Sequence, residues 1–138
     1  MIDSLLLDTN IITYFFSDTT WRELYLPIVR GKNLYISFVT IAELLESAYH
    51  RRWGVRKFHE FREKLAREYA IVPFCEDICD HFAWIRHERR NSPISVSDAL
   101  IAATALAYNL PLVTHNKKDF YGIDGLNVIS KYEAKNEA

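Results

Sequence analysis

An α/β domain, with a central, mostly parallel sheet flanked by helices on both faces, is predicted by three features of the sequence. Short apolar or β-favouring runs alternate with helix-periodic segments along the chain, and parallel strands need crossover connections that helices usually supply. The first run, Leu5-Leu6-Leu7, is apolar without alternation, as in a strand covered on both sides. The length of 138 residues, with 49% hydrophobic and 25% charged residues, suits one folding unit with a sizeable core. A single domain over 1–138 is therefore expected, with a polar tail at 131–138 that frays.

The elements follow in order. The first strand stops at Asp8-Thr9-Asn10, polar residues suited to a strand-to-helix turn, and helical signals continue through Leu26. Residues 33–38 hold Leu34, Tyr35, Ile36 and Phe38, a β-favouring run that gives way at Thr40 to a second helix. Over 55–69, Val55, Phe58, Phe61, Leu65 and Tyr69 recur every three or four residues with charged residues between them, predicting an amphipathic helix. Ile71-Val72-Pro73-Phe74 reads as a short strand, and its proline, lacking an N–H for the ladder, assigns it to an edge or a terminus. A helix is expected over 77–89. After the turn at Asn91-Ser92-Pro93, a strongly helix-favouring segment runs from Ala99 to Tyr108. Strands are expected at 110–114 and 128–129.

Seventeen basic against eighteen acidic residues give a formal charge of −1, so no global basic field draws in nucleic acid and any such contact must be local. Cys75 and Cys79 are at helical spacing and are expected to be reduced core residues. With Asp80 and His81 they lack the second ligand pair that a zinc site needs. No leader-like pattern opens the chain and no apolar stretch is long enough to span a bilayer, so a cytoplasmic, non-membrane protein is expected. His50, His59 and His87 are scattered, and Trp21, Trp53 and Trp84 are expected in the core or at an interface.

Four carboxylates stand where such a fold places chemistry, beyond the carboxyl ends of strands or at helix mouths. Each also has an ordinary structural role open to it. Asp8, tethered to a buried strand, suits a metal ligand or a helix cap. Glu43 completes Thr40-x-x-Glu43, the pattern of a capping box. Asp98 follows Ser95 in a similar arrangement and opens a helix that is apolar almost all round, so it needs a partner once buried. Asp119 lies in Thr114-His115-Asn116-Lys117-Lys118-Asp119-Phe120, a turn that Phe120 could anchor while Asp119 points inward.

Taken in order, these segments resemble the PIN-domain ribonucleases, and especially the VapC-like toxins of bacterial and archaeal toxin–antitoxin pairs. Leu7-Asp8-Thr9-Asn10, Thr40-Ile41-Ala42-Glu43-Leu44, the run from Ser97 to Ala105 and the run from Thr114 to Phe120 look like that family's four motifs, and together they span nearly the whole chain. The resemblance implies a single PIN-like domain with Asp8, Glu43, Asp98 and Asp119 as catalytic and metal-binding acids and Thr114 and Asn116 in support. His115 stands where an arginine is more usual. RNA cleavage, a homodimer and a cognate antitoxin covering the groove are also implied. Four converging carboxylates repel and call for a divalent cation, and oxygen-only ligation favours Mg2+ or Mn2+ over zinc. Such an ion would activate a water for in-line attack on a phosphodiester. Lys117 and Lys118, with Arg86, Arg89 and Arg90, are candidates for flanking phosphates. Two alternatives remain: a phosphatase of the haloacid-dehalogenase type, whose motif needs a second aspartate where Asn10 stands, and an inactive PIN scaffold that only binds a partner.

Overall fold

The computed structural model describes residues 3–17 and 20–131; the expected tail beyond Lys131 lies outside the described residues. Five strands, β1 (Ser4–Leu7), β2 (Asn33–Ile36), β3 (Ala70–Ile71), β4 (Leu112–Val113) and β5 (Val128–Ile129), form one sheet. Their order is β3-β2-β1-β4-β5 and every pairing is parallel. Six helices connect them: α1 (Thr9–Phe16), α2 (Thr20–Val29), α3 (Phe38–His50), α4 (Val55–Glu68), α5 (Glu76–Glu88) and α6 (Val96–Ala107). A short 3-10 turn, Lys117–Phe120, follows β4.

The period-two alternation of a strand explains the two core layers. Leu5 and Leu7 pack with Ile11, Ile12, Tyr25, Leu44 and Val113 on one face of the sheet. Leu6 packs with Ala99, Ala102, Ala103, Ile85 and Leu112 on the other. All three leucines are essentially inaccessible, and burying each contributes roughly 1.5–3 kcal/mol. A one-residue slip of β1 would exchange the two sets, so its register is strongly specified. Helices on both faces and an edge position for the proline-flanked β3 are as expected.

Several local features differ from the sequence reading. The helical run after β1 is two helices, with Ser17 closing the first by bonding its N–H to the Tyr14 carbonyl at 3.3 Å. β2 stops at Ile36, and Phe38, taken as a strand residue, is the first residue of α3. The cap is Ser37, whose hydroxyl accepts from the Thr40 N–H at 3.3 Å. Thr40 therefore sits in the third helical position, and Glu43 is one turn too deep for the capping box that Thr40-x-x-Glu43 suggested. Cys75 caps α5 rather than lying within it, and Cys79 is exposed. Both are free thiols; Cys75 packs against the core from the helix mouth, and only Cys79 departs from the expected core position. None of the described helices is long and apolar enough to cross a membrane.

The strand order carries the consequence that matters for function. From β1 the chain moves outward through β2 and β3, then crosses back to lay β4 against the other side of β1. The carboxyl ends of β1 and β4 thus flank the point where winding reverses, the crevice where open α/β sheets bind ligands.

Candidate active site

Asp8 follows β1 directly and caps α1, its Oδ1 accepting the Thr9 N–H at 2.8 Å. Its Oδ2 accepts from the Thr114 hydroxyl, 2.6 Å away at the end of neighbouring β4. Asp8 is thus the α1 cap, and each of its oxygens accepts one hydrogen bond and keeps a further lone pair. The Thr114 hydroxyl in turn accepts the Asn116 N–H at 3.1 Å, which orients it toward Asp8. Asp8 is only 5% exposed. Burial raises its carboxyl from 3.8 to about 6, against the opposing hydrogen bonds from Thr114 and Thr9, and the charges of Asp98 and Glu43 push the same way as burial.

Glu43, on the second turn of α3, reaches back toward β1: its Oε1 accepts from the Thr9 hydroxyl at 2.6 Å. That hydroxyl lies 3.1 Å from the buried hydroxyl of Thr40. Asp98 occupies the third position of α6, its N–H donating to the Ser95 hydroxyl at 3.1 Å. The expected Ser95 cap is present: its hydroxyl accepts the Asp98 N–H and also bonds the Asp98 carboxylate. Burial raises the Asp98 carboxyl, Asp119 and Glu43 add to that rise, and the Ser95 hydroxyl and Arg89 oppose it. Asp119 sits in the 3-10 turn, anchored as anticipated by Phe120, which is 2% exposed.

The fold thus brings the four acids into one electrostatic group: Asp8 senses Asp98 and Glu43, and Asp98 senses Asp119 and Glu43. Among the described residues no three acidic, histidine or cysteine side chains already close into a metal cage. The side chains that would hold an ion here offer only oxygen, the donor chemistry that suits magnesium or manganese rather than zinc. The buried, proton-hungry Asp8 is the donor most in need of a counter-charge.

The remaining candidates separate. Asn116, Lys117 and Lys118 are exposed beside Asp119. Arg89 does not project to solvent: its guanidinium donates to the carbonyls of Ser92 (2.8 Å), Asp119 (3.1 Å) and Tyr121 (3.3 Å). Arg86 donates to the Ile94 carbonyl at 2.7 Å and Arg90 to that of His87 at 2.9 Å. Asn10 accepts the His115 N–H at 3.4 Å, while its Nδ2 is buried with no hydrogen-bond partner among the described residues. Sequence reasoning gave Thr40 only the role of a helix cap and gave Thr9 none in the site, yet Thr9 bonds both Glu43 and Thr40 and so ties Glu43 to the end of β1. The one signal for Thr9 was its adjacency to Asp8. It also missed the aromatic side chains Tyr14, Trp21 and Tyr25, which gather round His115.

A doubly wound α/β domain with acids from four chain segments grouped at its winding reversal is the class that fold and site define. The PIN domain family model matches residues 5–126, and the chain belongs to the PIN-domain family. It is 54% identical over 103 residues to Ribonuclease VapC of Rickettsia bellii (strain RML369-C), covering 70% of this chain and 75% of that protein. It is 31% identical over 125 residues to Ribonuclease VapC1 of Haemophilus influenzae (strain R2866), covering 88% and 92%. A chain of a toxin–antitoxin complex from Klebsiella pneumoniae superposes with a TM-score of 0.74 at 30% identity, covering 94% of this chain and 98% of that one. The phosphatase and inactive-scaffold alternatives find no support. Asn10, where the phosphatase motif needs its second acid, instead bonds the backbone of His115.

Proposed function

We propose that this protein is a divalent-metal-dependent endoribonuclease and the toxin of a toxin–antitoxin pair, with Asp8, Glu43, Asp98 and Asp119 at its catalytic centre. The observation that carries the reading is the grouping of these acids at the β1/β4 crevice, with Asp8 buried and raised to about 6. The kinship to proteins named ribonuclease VapC supports it.

Magnesium or manganese, when bound, supplies positive charge for the transferring phosphate and lowers the pKa of an attacking water. The chain's own residues set the stage for that chemistry. Asp8 is fixed by a helix N-terminus and by Thr114, so its carboxylate does not need to reorganise during the reaction. Thr9 holds Glu43 at the same strand end. Asp98 and Asp119 approach from α6 and the 3-10 turn, and Lys117 and Lys118 lie beside Asp119 on the exposed rim. Phosphates flanking the cleaved bond are assigned to these lysines.

The toxin–antitoxin complex from Klebsiella pneumoniae supports an antitoxin peptide as the covering partner. A homodimer is proposed as well, because β3 is an open edge strand and Ile71 and Phe74 beside it are 53% and 64% exposed.

The test incubates purified protein with total RNA, with and without magnesium or manganese, beside an Asp8→Asn variant. Cleavage that requires the metal and falls by roughly two orders of magnitude or more in the variant is expected, the scale on which loss of one preorganised charge-stabilising group acts. RNA left intact by the unaltered protein under every metal condition would remove the nuclease reading.

A further inference from the structure

Beside the acids stands a wall of rings that nothing in the proposed chemistry uses. Tyr14 on α1, Trp21 and Tyr25 on α2, and His115 just after β4 converge from three segments of the chain. The Trp21 and His115 ring centres are 4.4 Å apart, those of Tyr14 and His115 5.7 Å, and those of Tyr14 and Trp21 6.2 Å. Tyr25 supports the group from behind. It is fully buried, its hydroxyl is 2.7 Å from His115 Nδ1, and the same hydroxyl accepts the Lys131 N–H at 3.0 Å. His115 is further fixed by its backbone bond to Asn10. Trp21, by contrast, is 41% exposed although it belongs to this ordered stack.

The position of the wall relative to the acids is close. His115 is the residue after Thr114, whose hydroxyl holds Asp8. Tyr14 is near enough for the Asp8 charge to contribute to raising its phenol, after burial and Tyr25. A phosphate at Asp8 therefore has an adjoining nucleotide within reach of the rings. Charge argues in the same direction. With a formal net charge of −1 and four acids at the crevice, long-range attraction of a polyanion is weak, so contacts that do not depend on charge are needed beside the local ones at Lys117 and Lys118. Base stacking on aromatic faces is such a contact and tolerates any base.

We propose that Trp21, Tyr14 and His115 form a stacking platform for a nucleobase adjoining the cleaved phosphate. A base inside a helix is already stacked on its neighbours and cannot lie on the wall, whereas a loop or single strand can turn one out. Tyr25 is a positioning residue here, holding the imidazole in place. This inference rests on the nuclease reading and adds to it a base contact made by rings outside the acid cluster.

The experiment measures binding of a short synthetic single-stranded RNA by fluorescence anisotropy with metals chelated, so that nothing is cut. Binding is compared for the unaltered chain, Trp21→Ala and Trp21→Phe, and for oligonucleotides carrying one abasic site at successive positions. Trp21→Ala should weaken binding about tenfold, within the range reported by removal of stacking rings, and Trp21→Phe should recover most of the loss. An abasic site at one particular position should reproduce the loss on the unaltered chain, without any change to the protein, and should not weaken Trp21→Ala further. If Trp21→Ala binds and, once metal is restored, cleaves as the unaltered chain does, the platform is overturned while the nuclease reading stands, and the wall is left as a surface for a protein partner. If the unaltered chain neither binds nor cleaves RNA, both fall.

Discussion

Asp8 sits at the junction of two demands. As a cap it satisfies the first N–H of α1, and as a buried anion it lies against Asp98 and Glu43. A carboxyl raised from 3.8 to about 6 holds its proton more tightly in the folded chain than in the unfolded one, so the contribution of Asp8 to folding stability is greatest below pH 4 and is lost as pH rises through 6. Above that window the ionised side chain costs about 3 kcal/mol. Asparagine keeps the cap and the size but carries no charge. Asp8→Asn is therefore expected to melt at a higher temperature than the unaltered chain at pH 7.5, with the advantage shrinking toward zero near pH 4, while RNA cleavage is lost. Paired thermal melts across pH check this. Comparing the two chains at each pH cancels the opposite contribution of His115, whose pKa burial lowers. Equal melting at pH 7.5 would mean that Asp8 is not strained in the folded state.

At the scale of elements, the turn that carries Asp119 depends on the end of α5. Arg89 closes that helix and donates to carbonyls on both sides of the gap, Ser92 in the α5–α6 turn and Asp119 and Tyr121 beyond it. Its charge also lowers the Asp98 carboxyl, opposing the rise from burial. Arg89→Ala should release the 3-10 turn before anything else: amides at 117–121 should exchange faster with solvent, and cleavage should fall about tenfold or more, the consequence of losing charge-assisted bonds worth roughly 1.5–3 kcal/mol. Unchanged exchange there would show that the turn is held by Phe120 alone. Arg89 also illustrates what was and was not legible in the chain. Alternating strands and helices, the edge position of β3 and four acids at element ends could all be read from apolar periodicity and from Pro73. Arg89 read as a candidate phosphate contact, since nothing local says that its guanidinium meets a segment thirty residues away. Likewise Thr40 and Ser37 are three residues apart and equally fit to cap α3, and the β-favouring Phe38 hides the helix start between them. Had α3 begun after Thr40, Glu43 would have been spent on the cap. The acids could be found in sequence, but their freedom to act could not.

Over the whole molecule, the four acids come from positions 8, 43, 98 and 119, and only the parallel order β3-β2-β1-β4-β5 brings them together. The site therefore does not exist in the unfolded chain, and the mutual repulsion of its carboxylates is a charge on the folded state alone. A cation that binds the folded chain and ignores the unfolded one stabilises by RT ln(1 + [L]/Kd), about 2.7 kcal/mol at one hundred times Kd. For a domain of this size that corresponds to a rise in melting temperature of roughly 10 °C, at about 4 °C per kcal/mol. Magnesium or manganese at pH 7.5 should produce such a rise in the unaltered chain. The rise should shrink as pH falls below 6, where Asp8 takes up the proton that competes with the metal. Asp8→Asn, already relieved of its charge, should respond little at any pH. A melting temperature indifferent to both metals at pH 7.5 would separate the acid cluster from metal binding, whatever the RNA assay reports.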